Sequence, residues 1–162
     1  MRFPALPDPD KPPEMWEPDT LLAVTVWGEA RGEDIIGKLA VAHVILNRLK
    51  SRNLLPADLA KVVLKPWQFS CWNQNDPNAS KMGYPIKHSN AVVWDACATI
   101  AALALGGLTV DPTGGASHYC TKPLWAVPSD PSHKRWHDNE EIVQGRTVKT
   151  AELGNHVFAK AA

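Results

Sequence analysis

The sequence predicts an α+β fold that is mainly helical, a single domain with a small β or irregular lobe. Three observations point that way. Residues 36–50 place Leu39, Ala42, Leu46 and Leu49 at three- and four-residue steps, with Val41 and Ile45 alongside, which is the period of an amphipathic helix. Residues 96–110 are an uncharged apolar run of 15 that contains Gly106-Gly107, too short for a membrane span of about 20 residues and therefore a buried helix. Beyond Asp111-Pro112-Thr113-Gly114-Gly115, which is strong turn chemistry, the chain leans to short β pieces such as 117–120 and 156–158. A chain of 162 residues is the right size for one such domain.

Each element has a local cause. Six prolines fall among the first 18 residues, which removes backbone donors where no apolar period exists, so residues 1–18 are expected to be an extended proline-rich arm and 19–162 the folded domain. Asp19 or Thr20 is expected to cap a first helix in which Leu21, Leu22, Val24, Val26 and Trp27 lead to Gly28. The helix over 36–50 is expected to be the central core helix. Pro56 starts a short helical turn through Leu59, Val62 and Val63, and Pro66 stops it before Trp67-Gln68-Phe69-Ser70-Cys71-Trp72-Asn73, expected to be a loop or short strand. Residues 73–87 are rich in Asn, Asp, Pro, Ser and Gly, after which Ser89 or Asn90 can cap a helix that ends at Gly106-Gly107.

Composition excludes some functions. Lys plus Arg and Asp plus Glu both number 17, so the formal net charge is zero and no long-range attraction draws the chain to nucleic acid or to an anionic membrane. No nucleic-acid partner and no stable membrane insertion are expected, and a monomer is the default. The first residues lack the apolar stretch and small-residue cleavage site of a signal peptide, which predicts a chain that accumulates in a cytoplasm. Cys71, Cys97 and Cys120, an odd number at no framework spacing, are expected to be free thiols.

The chemistry concentrates at Gly28-Glu29-Ala30-Arg31-Gly32-Glu33. A carboxyl group beside Trp27 at the end of an apolar helix can hold its proton near neutral pH, as delivery of a proton to a glycosidic oxygen requires. Glu33 lies one helical turn on. Trp67, Phe69, Trp72 and Tyr84, interleaved with Gln68, Asn73, Gln74 and Asn75, suit a sugar groove, because rings cover the apolar faces of pyranosides while amides bond hydroxyls; a core aromatic cluster has the same composition. His118, Cys120, His133 and His137 are metal-ligand types, but their spacing matches no strong metal signature, and no metal or other cofactor is expected.

Several segments in fixed order then matter together: Trp27-Gly28-Glu29-Ala30-Arg31-Gly32-Glu33, Ala40-Val41-Ala42-His43-Val44-Ile45-Leu46-Asn47-Arg48, Gln68-Phe69-Ser70-Cys71-Trp72-Asn73, Asp111 through Tyr119, and Gly154-Asn155-His156-Val157-Phe158. Over most of residues 20–158 they resemble the cell wall hydrolase family typified by the spore cortex-lytic enzyme SleB, which includes bacteriophage endolysins. Where members often read Thr-His-Tyr-His, this chain has Ser117-His118-Tyr119-Cys120. The resemblance implies a fold similar to lysozymes and lytic transglycosylases, peptidoglycan glycan strands as the partner, cleavage of the bond between N-acetylmuramic acid and N-acetylglucosamine, and Glu29 as the catalytic residue. It also implies a stand-alone phage lysin, made in the host bacterial cytoplasm and released through a membrane pore for host lysis.

On that view Gln68, Ser70 and Thr113 are expected to bond acetamido or hydroxyl groups, Phe69 and Trp72 to offer rings, and His118 and Tyr119 to orient Glu29 or polarise the sugar. Three alternatives stay open. Glu33 or Asp111 holding a water would make a hydrolytic muramidase. A zinc amidase would use His118, Cys120 and one of His133, His137 or His156. A non-catalytic glycan-binding module would use the tryptophans alone.

Overall fold

Helix α1, Pro18–Ala30, is the most buried element of the computed structural model, which describes residues 2–128 and 137–162, the side chains of 137–139 excepted. Every residue from Thr20 to Gly28 is buried, and a helix apolar all round must have neighbours on every side. Those neighbours are α2 (Ile35–Ser51), α3 (Leu59–Val63) and α4 (Ala91–Leu105). The central helix is therefore α1 and not the 36–50 helix. The reason lies in how α2 divides its apolar residues: Val41, Ala42, Ile45 and Leu49 join the main core, while Ala40 and Val44 face a second cluster with Ala116 and Phe158. Leu39 and Leu46 are left at the edge, only partly buried.

The helix ends follow local chemistry. Pro18 occupies the first position of α1, where a missing N–H costs nothing, and no side chain caps the helix. Asp19 and Thr20 thus do not cap it; the Asp19 carboxylate accepts from the Thr20 N–H, and the Thr20 hydroxyl donates to Ala5 O, tying down the arm. That arm is not extended throughout: it turns at residues 9–10 and forms a 3-10 helix over Pro13–Met15, and it is docked, with Pro4 and Pro7 buried and the Trp16 indole N–H donating to Asp8 O at 3.0 Å. Asp34 caps α2 by accepting from Gly37 N at 2.7 Å, and Asn90 caps α4 by accepting from Val93 N at 2.9 Å. Helix α4 stops at Leu105, so residues 106–110 of the long apolar run lie outside it.

The smaller lobe is one antiparallel sheet of β1 (His118–Thr121), β2 (Thr147–Leu153) and β3 (His156–Ala161), in the order β1-β3-β2. Tyr119 lies opposite Phe158, and Phe158 packs on α2 through the second cluster, which joins the two lobes. Short helices α5 (Lys122–Ala126) and α6 (His137–Val143) flank β1. The fold is α+β and mainly helical, as the periodicities predict. Among the described residues no helix is long and apolar enough to cross a membrane, and Cys71, Cys97 and Cys120 are free and buried.

Candidate active site

Glu29 sits in the last turn of α1, half-buried, with donors from two other segments converging on its carboxyl group. Oε1 accepts from Cys71 N at 3.0 Å and from the Ser70 hydroxyl at 3.4 Å; Oε2 accepts from the Tyr119 hydroxyl at 2.6 Å. The first two come from the 3-10 turn Ser70–Trp72, the third from β1. Gly28 makes the approach of that turn possible. A Cβ there would lie 2.6 Å from Met82 Cε and 2.8 Å from Cys71 Cβ, closer than packed atoms tolerate. The indole N–H of Trp72 donates to Thr25 Oγ1 at 3.1 Å, one turn before Glu29, and fixes the other end of the same turn.

Burial and the charge of Glu29 push the Tyr119 phenol well above its usual pKa, so its hydroxyl stays a donor to the carboxylate. The same two causes push the Cys71 thiol up, leaving it protonated and inert. The Tyr119 ring is stacked on Phe158 at 5.8 Å and meets the His156 ring edge-on at 5.6 Å. Glu33 lies 3.7 Å from His156 Nδ1 and is partly exposed.

A buried arginine clamps these segments from α2. Arg48 Nε donates to Ser117 O at 2.6 Å, Nη1 reaches Gln68 O at 3.3 Å, and the guanidinium lies 4.7 Å from the centre of the Phe69 ring. The Asp111–Ala116 loop is held by its own carboxylate. Asp111 Oδ1 accepts from Thr113 N and Oγ1, and Oδ2 from Gly115 N and from Asn47 Nδ2 of α2. Burial alone would raise the Asp111 pKa, but these hydrogen bonds together hold it below the ordinary value.

A sequence profile of the Cell Wall Hydrolase family matches residues 32–159, most of the chain. The chain belongs to the cell wall hydrolase family. Proteins named spore cortex-lytic enzyme are similar to it: one from Halalkalibacterium halodurans is 36% identical over 99 residues, 61% of this chain and 26% of that protein. One from Bacillus subtilis is 52% identical over 50 residues, 31% of this chain and 16% of that protein. One from Bacillus cereus is 29% identical over 140 residues, 86% of this chain and 43% of that protein. The chain thus spans less than half the length of each of these relatives. No solved structure matches it. The family match begins at Gly32, so Glu29 lies just upstream, while Arg48, Gln68 to Asn73 and Tyr119 lie within it.

In this chain the residues singled out from the sequence are brought together unequally. Ser70 and Tyr119 touch Glu29 directly. Gln68, with its Oε1 3.4 Å from Arg48 Nη1 and from Arg52 Nη2, lines a cavity of about 310 Å³ shared with His118, Ser117 and Glu141. Burial and the Arg48 guanidinium hold the His118 imidazole below its usual pKa, against the opposing pull of Glu141. Phe69 is fully buried beneath Arg48 and offers no open face. Thr113 is also fully buried, its hydroxyl used between Asp111 and Ala116 N.

Among the described residues no group of three or more His, Cys, Asp or Glu side chains is placed to hold a metal ion. His133 lies outside the described residues, as does the His137 side chain. Sequence reasoning did not anticipate three parts of the site: the Cys71 N–H, the Arg48 clamp and the close approach at Gly28. Each stands inside a segment that carried the family resemblance, and that was the only sign of them.

Proposed function

We propose that this cell wall hydrolase acts on peptidoglycan glycan strands, cleaving the bond between N-acetylmuramic acid and N-acetylglucosamine with Glu29 as general acid and then base. The observation that carries this reading is the convergence of the Cys71 N–H, the Ser70 hydroxyl and the Tyr119 hydroxyl on one half-buried carboxyl group. A side chain held by donors from two other segments has one orientation, as proton transfer in a defined direction requires.

In the first step the protonated Glu29 gives its proton to the glycosidic oxygen as the bond from the muramic anomeric carbon breaks. The Glu29 carboxylate then takes the proton of the muramic C6 hydroxyl while that oxygen bonds to the anomeric carbon. The products are a free 4-hydroxyl and a 1,6-anhydro muramic end; Glu29 is protonated again and no water is consumed. Tyr119 supports the cycle by remaining a donor whichever form Glu29 is in. Engagement of both Asp111 oxygens by its own loop and by Asn47 of α2 supports a lytic transglycosylase over a muramidase that uses Asp111 to hold water. Trp72, Ser70, Gln68 and His118 are the side chains assigned to the sugars. The resemblance to phage endolysins extends the reading to host lysis, which cells co-expressing this chain and a membrane-pore protein would test by lysing.

Release of soluble glycan fragments from purified peptidoglycan tests the role of Glu29. Glu29→Gln is expected to slow release about 10²–10⁴-fold with folding intact. An equally active Glu29→Gln would remove Glu29 from the chemistry.

A further inference from the structure

Next to the Glu29 site, the loop that follows α3 encloses a concavity of about 500 Å³ lined by Leu64, Pro66, Trp67, Trp72, Asn73 and Asn75, among others. Its lining combines aromatic and aliphatic side chains with amides. Trp67 is 40% exposed and has φ +67°, a left-handed backbone that a bulky side chain rarely adopts. Asn73 Oδ1 holds that turn by accepting the Trp67 N–H at 3.2 Å, and Asn73 Nδ2 is left buried with no hydrogen-bond partner among the described residues. A strained backbone and an unpaired buried donor in one short loop are costs that folds carry where a ligand is met. The loop is also rigidly tied to the chemistry. Trp72, on one wall, is fixed to Thr25, and its neighbour Cys71 gives its N–H to Glu29.

We propose that this groove is an outlying sugar subsite, in which the Trp67 ring covers the apolar face of a pyranose of the glycan strand beyond the cleaved pair. The Asn75 and Gln74 amides that line the same concavity bond its acetamido or hydroxyl groups. The inference rests on the proposed action on glycan strands and extends it: the enzyme grips a strand longer than the disaccharide it cuts. An anionic stem peptide would instead be met by Lys65, which also lines the groove, and the two ligands separate experimentally.

Binding is measured by titration calorimetry on Glu29→Gln and on Glu29→Gln/Trp67→Ala, with peptide-free glycan strands and, separately, with free stem peptides. Loss of the ring is expected to weaken strand binding about tenfold or more, with the unfolding midpoint unchanged. Trp67→Phe, which keeps a ring, is expected to recover most of the affinity and serves as the test if Trp67→Ala fails to fold. Equal strand binding with and without the ring, or a loss confined to stem peptides, overturns the subsite. Strands that bind through Trp67 yet stay uncut by the wild-type chain support the subsite and count against the proposed cleavage.

Discussion

The Tyr119 hydroxyl donates to Glu29 Oε2 across 2.6 Å, joining the sheet to the last turn of the central helix. The two residues stand 90 positions apart in the chain, and Phe158 behind the tyrosine ring packs on α2, so both lobes must be in place for the contact to form.

Tyr119→Phe removes that donor and keeps the ring. A hydrogen bond to a charged group contributes about 1.5–3 kcal/mol, so kcat for fragment release should fall about 10- to 100-fold with little change in KM. Steady-state kinetics on solubilised glycan check it; a variant with unaltered kcat would show that the contact does not orient the acid.

Gly28→Ala forces a methyl group into Met82 Cε and Cys71 Cβ. Overpacking of this kind costs about 1–3 kcal/mol, and the relief available is movement of the Ser70–Trp72 turn away from Glu29. Urea unfolding should show the modest loss of stability, while activity measured well below the unfolding midpoint should be nearly abolished. Full activity at reduced stability would mean the turn tolerates the shift.

Burial distinguishes neighbours on α2. Ile45 is wholly buried in the main core, whereas Leu46 lies at its edge. Ile45→Ala should cost about 2–5 kcal/mol and Leu46→Ala clearly less, as read from denaturant midpoints at equal slope. Equal losses would contradict the placement of α2.

Asp111 gives the fold a defined acid response. Its pKa is lowered from 3.8 in the folded state, so it contributes stability at pH above that ordinary value. The contribution is lost as pH falls below 3.8 and through the lowered folded value. Asp111→Asn should therefore flatten the fall of stability with pH in that acidic window. An unchanged pH slope would show that the loop does not depend on the ionised form.

Much of the helical half was legible because each signal was local. Asn90 before an apolar period caps α4 as read, and the steps of Leu39, Ala42 and Leu49 give α2 to within a residue at each end. What failed was the choice of centre. Periodicity reports that a helix has a buried face, and the near-continuous apolar run of α1 shows no such period although it is the element enclosed on all sides. Strand β2 was missed because Thr147–Leu153 has no buried residue and hence no alternation to detect. At the site, Glu29 stood out by its setting after Trp27-Gly28. Arg48 did not, since a helical arginine reads as surface until Ser117 O and the Phe69 ring are seen to enclose it. Thr113 carried a hydroxyl suited to sugars, but only the fold shows that hydroxyl used within its own loop.

The most direct measurement is mass spectrometry of the fragments that the wild type and Glu29→Gln release from purified peptidoglycan, each with and without a chelator. Anhydro-muramic ends that appear with the wild type, persist under chelation and vanish with Glu29→Gln are the expected result. Reducing muramic ends, or free peptides whose release stops on chelation, would contradict it.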